Sequence, residues 1–75
     1  MPFIHVRAYS GKDKETKQAT AQAIIQAASE AWGAPLTAFT VVFEDIDRES
    51  WEAEVQAAVV EPLRDLMVIE HGELV

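Results

Sequence analysis

Cysteine is absent from the 75-residue chain, so no disulfide can brace it and no thiolate can hold a metal. Its two histidines, His5 and His71, stand too far apart in sequence to form a recognisable ligand spacing, and no metal site is expected. Basic residues are few: six Lys and Arg face thirteen Asp and Glu, for a net charge of −7. Such a chain repels phosphate backbones and anionic headgroups, which makes nucleic acid and charged membrane poor partners. No apolar run is long enough to span a bilayer. The first residues also lack the basic region and apolar stretch of a secretory leader. With neither leader nor cysteine, the expected location is cytoplasmic.

What remains is one short domain, expected to cover residues 1–75. A domain of this length buries only ~60% of the surface its unfolded chain exposes. Its core then supplies about 3–5 kcal/mol at most. Without disulfides or a metal, association with further copies is the remaining means of stabilisation. Apolar residues make up 49% of the chain, enough for a core and an interface together.

From Pro2 to Tyr9 the residues alternate. Pro2, Ile4, Val6 and Ala8 share one face, and Phe3, His5, Arg7 and Tyr9 share the other, which is strand periodicity. Ser10 to Asp13 is expected to be a loop, with Asp13 capping a helix over Lys14–Trp32. That helix carries an apolar stripe of Ala21, Ile24, Ile25, Ala28, Ala31 and Trp32, and Trp32 is expected in the core. Gly33 suits a left-handed helix end, and Pro35 blocks resumption. The β-branched and aromatic run Phe39–Phe43 predicts a second strand within Leu36–Glu44, followed by an acidic loop over Glu44–Glu49. Trp51, Val55, Val59, Leu63 and Leu66 recur every three or four residues, which predicts a second helix, kinked near Val60 by Pro62. The tail from Val68 has little pattern beyond a turn at Gly72.

Strand, helix, strand predicts an α+β fold built on a β-α-β crossover unit with a two-stranded parallel sheet, a long first helix and a kinked second one. Parallel sheets need cover on both faces. The first helix can cover one, and the second helix or another subunit must cover the other. Sheet completion by oligomerisation follows, with a homodimer expected and a hexamer as the alternative.

Pro2 is the residue with distinctive chemistry. It can be read simply as a strand-start proline. Removal of Met1 would instead leave a secondary amine at the head of a strand. An α-amino group has a pKa near ~8 in water, and an apolar pocket or a nearby cation lowers it. Such an amine can take a proton next to a carbonyl and return it elsewhere, with no metal and no organic cofactor.

The chain resembles the tautomerase superfamily, of the short 4-oxalocrotonate tautomerase type. The resemblance is carried by Met1-Pro2-Phe3-Ile4, by Gly11-Lys12-Asp13, and by Ala34-Pro35-Leu36-Thr37 leading into Phe39-Thr40-Val41-Val42. Glu49-Ser50-Trp51 with Pro62 downstream is similar to the dimeric branch of that group. The resemblance implies that Pro2 is the catalytic base and proton shuttle. It sets Lys12 where the family's first carboxylate-binding arginine stands and Thr40 where the second stands. It sets Trp51 at the family's pocket aromatic. Lysine keeps the charge but loses the bidentate fork, and threonine has no charge. A small monocarboxylate or neutral enol, such as an aryl enolpyruvate, is therefore expected rather than a dicarboxylate. Arg7 is a further candidate substrate-binding residue, able to replace a missing arginine or to pair with nearby acids. Donors for a developing enolate oxygen could be the amides near residues 38–40 or Lys12. Hydration chemistry at the same amine ranks lower, because the arginines to bind an acrylate are lacking. The non-enzymatic alternative is an oligomeric binding module on the same fold, its site decayed at Lys12 and Thr40.

Overall fold

The computed structural model describes all residues from Met1 to Val75. Strand β1 runs from Phe3 to Tyr9, helix α1 from Lys14 to Trp32, and strand β2 from Thr40 to Ile46. The two strands pair in parallel, in register from Phe3 beside Thr40 to Tyr9 beside Ile46. The expected crossover unit is therefore present.

Local chemistry explains the ends of α1. Asp13 is extended, and its carboxylate accepts the Thr16 amide at 2.8 Å. Hydrogen bonding to Thr16, through its side chain first and its amide second, holds the Asp13 carboxyl below its ordinary range. At the other end Gly33 takes φ 73°, and its N–H donates to the Ser29 carbonyl at 2.8 Å. Pro35 then leads into a single 3₁₀ turn over Leu36–Ala38, so β2 starts at Thr40.

β2 continues beyond Glu44 through Asp45 and Ile46, where the sequence predicts an acidic loop. The acids are tolerated because each meets a cation. Asp45 contacts Lys17 of α1 at 2.5 Å, and Glu44 contacts Arg7 of β1. Ile46 ends the strand as one of two buried residues, 5% exposed; Val55, at 6%, is the other.

Parallel register puts Ile4, Val6 and Ala8 beside Val41, Phe43 and Asp45 on the face under α1. Trp32 does not join that core. It is 61% exposed and stacks on Phe39 at 5.6 Å. Nineteen helical residues span ~28 Å and seven strand residues ~23 Å, so the last turn of α1 overhangs the sheet.

The second helix is wound more widely than expected. After a 3₁₀ turn at Arg48–Ser50, residues Glu52–Val60 form a π-helix. Its last bond runs from the Glu61 amide to the Gln56 carbonyl, and Pro62 has no amide hydrogen to continue the ladder. The apolar stripe fails at the same place. Val55 is buried and Val59 partly so, but Leu63 and Leu66 are exposed. The tail forms a small hairpin, β3 (Ile69–Glu70) against β4 (Glu73–Leu74). His71 and Gly72 turn it with φ of 52° and 81°, the positive pair that a tight hairpin turn requires.

The fold is under-buried. The π-helix covers the Tyr9 and Ile46 end of the second sheet face but leaves Phe3 62% and Val42 41% exposed. The surface is 5788 Å², against about 4,600 Å² for a compact monomer of this length. The radius of gyration is 13.7 Å, against about 11 Å. No helix is long and apolar enough to cross a membrane.

Gly33 tests the account of how α1 ends. A Cβ there would meet nothing within 4 Å, so Gly33→Ala costs only the left-handed backbone strain. That strain is about 1 kcal/mol, and the thermal midpoint should fall by roughly 4–8 °C. Gly33→Asn should lose less, because asparagine tolerates this conformation.

Candidate active site

Pro2 sits at the head of β1, half-buried, with its carbonyl accepting the Thr40 amide at 3.2 Å. Pro2 and Thr40 are thus neighbours across the two strands. Met1 is wholly exposed and precedes the strand. The extended conformation of Phe39 (φ −92°, ψ 140°) continues the alternation of β2, so Phe39 shares the Pro2 and Ile4 face.

Trp51 and Lys12 belong to the opposite end of the strands. Trp51 meets the edge of Tyr9, the last residue of β1, with ring centroids 4.8 Å apart. Lys12 lies three residues beyond Tyr9 in an exposed loop. Ser10 anchors that loop: its amide donates to the Ile46 carbonyl and its hydroxyl to Asp47, both at 3.0 Å. Seven strand residues at about 3.3 Å each put roughly 23 Å between Pro2 and the Tyr9–Trp51 contact. Within one chain, then, the expected site residues form two groups, Pro2 with Thr40 and Lys12 with Trp51. Neither of the two surface hollows includes Pro2.

Arg7 falls between these groups, on the face away from α1. Its Nε donates to Glu44 Oε1 at 3.1 Å, and Nη1 donates to the Glu54 carbonyl of the π-helix at 3.4 Å. His5 Nε2 meets the same Glu44 oxygen at 2.8 Å. Register explains the cluster, because Arg7 is the direct cross-strand partner of Glu44 and His5 is one pleat away on the same face. The His5 hydrogen bond first, and then the Arg7 charge and hydrogen bond, hold the Glu44 carboxyl below its ordinary value. Arg7 and Glu44 also line an open hollow of about 470 Å³ between the sheet and the π-helix.

No group of three His, Asp or Glu side chains is arranged to hold a metal ion. The sequence reading passed over two residues that the geometry brings forward. Glu44 is the acid that ties β1 to β2 on the open face. Arg48 lies with its guanidinium 4.4 Å from the Tyr9 ring centroid, next to Trp51. The spacing of Arg48 and Trp51, three residues apart at a helical turn, was the available signal for the second.

The family model described as tautomerase enzyme matches residues 2–67. A probable tautomerase of Lactococcus lactis is 37% identical over 46 residues, covering 61% of this chain and 75% of the relative.

The Glu44 cluster has a pH signature. A carboxyl held below its ordinary value of 4.5 in the folded state stabilises that state above this value, and the contribution is lost as pH falls through the lowered one. The urea midpoint of the wild type should therefore exceed that of Glu44→Gln at neutral pH, with the gap closing in acid below pH 4.5. The gap should be small, because the pair is open to solvent.

Proposed function

The chain belongs to the tautomerase family, and from that premise we propose that Pro2, freed by removal of Met1, is the base and proton shuttle of a keto–enol tautomerase. The observation that carries this reading is the position of Pro2 at the head of β1. Met1 stands free in solvent ahead of the strand, so its loss removes no strand residue and no contact from the core. The amine so exposed would lie next to the Thr40 strand and on the Phe39 face, where aromatic surface limits hydration of its charged form.

The chemistry is balanced by one proton. The amine takes the enol hydroxyl proton, the O–H electron pair closes the C=O, and the C=C pair takes the proton back at carbon. The keto form leaves with the amine restored. The substrate class we propose is a 2-oxo monoacid with an aryl group, such as an aryl enolpyruvate. At the two positions where the family has arginines, Lys12 and Thr40 hold one charge between them and no bidentate fork, which disfavours two carboxylates bound there.

We further propose that the working unit is a homodimer. Both strands of the sheet are edges, and the chain carries about 1,200 Å² of surface beyond that of a compact monomer. Interfaces of standard size bury ~800 Å² per partner. A two-fold axis perpendicular to the strands reverses their direction. The Pro2 end of each protomer would then meet the Lys12 and Trp51 end of its partner, which reunites groups that one chain holds roughly 23 Å apart.

Processed protein carrying Pro2→Ala should convert an aryl enolpyruvate about 10²- to 10⁴-fold more slowly than wild type, the usual contribution of a positioned base. Protein retaining Met1, identified by mass, should be equally impaired. Equal rates would leave the binding-module reading. Sedimentation at micromolar concentration should give a dimer, and a monodisperse monomer would refute the proposed assembly.

A further inference from the structure

Arg48 is the one arginine of this chain with no acidic partner. Arg7 is tied to Glu44, and Arg64 bridges Glu61 and Glu70. Arg48 stands between Asp47 and Glu49 in a chain of thirteen acidic residues, yet it forms no ion pair and no side-chain hydrogen bond. Its guanidinium rests instead on the face of Tyr9, 4.4 Å from the ring centroid, and Tyr9 in turn meets Trp51 edge-on. The competing acids are largely engaged elsewhere: Asp45 by Lys17, Glu44 by Arg7 and His5, and Asp47 by the Ser10 hydroxyl. Glu49 and Glu52 remain free nearby in sequence.

Two features fit this arrangement to an anionic ligand. Contact with the Tyr9 ring restricts the guanidinium while leaving its N–H fork unused, and that fork matches a carboxylate in bidentate geometry. The cluster also lies outside the carboxyl ends of two parallel strands, the usual ligand crevice of such sheets. Ser10 pins the Lys12 loop to Asp47, the residue before Arg48, so a second cation is tethered to the same end.

We infer that Arg48, stacked on Tyr9 beside Trp51, is a carboxylate anchor for the substrate, holding the acid group of an aryl 2-oxo acid while Trp51 meets its ring. This assigns bidentate carboxylate recognition to a residue other than Lys12 and Thr40. It rests on the tautomerase reading of the chain, and in the dimer the anchor would serve the Pro2 of the opposite protomer.

The test uses the full processed chain and two probes that need no turnover, 3-phenylpropanoate and its neutral amide, titrated by tryptophan fluorescence. Arg48→Gln should weaken the carboxylate by roughly 10- to 100-fold, the size of one charge-assisted pair. It should leave the amide within about twofold, since the amide brings no charge to the anchor. Arg48→Lys should fall between, because it keeps charge without the fork. With an aryl enolpyruvate, Arg48→Gln should raise KM by a similar factor and change kcat little. Thermal midpoints of the variants, matched to wild type, exclude a folding defect. Equal loss for acid and amide, or no loss for either, overturns the anchor. Failure of Pro2→Ala to slow turnover would count against the base alone, because the binding titration does not involve proton transfer.

Discussion

Parallel strands cannot be joined by a tight turn, and that constraint shapes everything else here. To lie side by side in one direction, β1 and β2 need a connection that returns the chain to its starting end, and α1 is that connection. Both amino ends of the strands therefore fall together, and both carboxyl ends do too. Pro2 beside Thr40 is a consequence of the first, and the meeting of Tyr9, Arg48, Trp51 and the Lys12 loop is a consequence of the second. A hairpin of the same two strands would have mixed the groups.

The same economy limits stability. Two seven-residue strands and one covering helix cannot enclose an interior: only Ile46 and Val55 are buried, and no side chain is fully so. Both lie where the π-helix crosses the sheet. The other half of that face, with Phe3 and Val42, has apolar surface and no cover. Polar groups on the covered half are matched locally, with Glu44 taking two donors on one oxygen. In the proposed homodimer, stability and catalysis would be linked, because an interface covering the bare face would also bring the two ends of the site together. Such coupling gives a small protein a site that its own length cannot span.

Much of this is legible in the sequence. The alternation of Pro2 to Tyr9, the Asp13 cap, the Ile24 and Ile25 stripe and the Gly33 stop are local signals, each decided within a turn or a pleat, and all were found as expected. Pro62 likewise ended its helix through its own missing donor. The errors share a different cause. Glu44 and Asp45 suggested a loop because charge is unfavourable in a strand, until the cations opposite are known. Trp32 suggested core because the stripe says which face is apolar and not how far the sheet beneath extends.

The sequence by itself determined the order and type of the first three elements, the parallel sense of the sheet, and the place of Pro2 at the head of the first strand. These follow from short-range periodicity, capping and the identity of one ring. Only the tertiary structure decided the register that sets Arg7 against Glu44, the π winding of Glu52–Val60, the exposure of Leu63 and Leu66 beyond it, and the placing of Arg48 over Tyr9. It alone separated Pro2 from Trp51 by the length of a strand. Each of these depends on which distant residues become neighbours, and spacing along a chain carries no measure of that distance until the strands have paired.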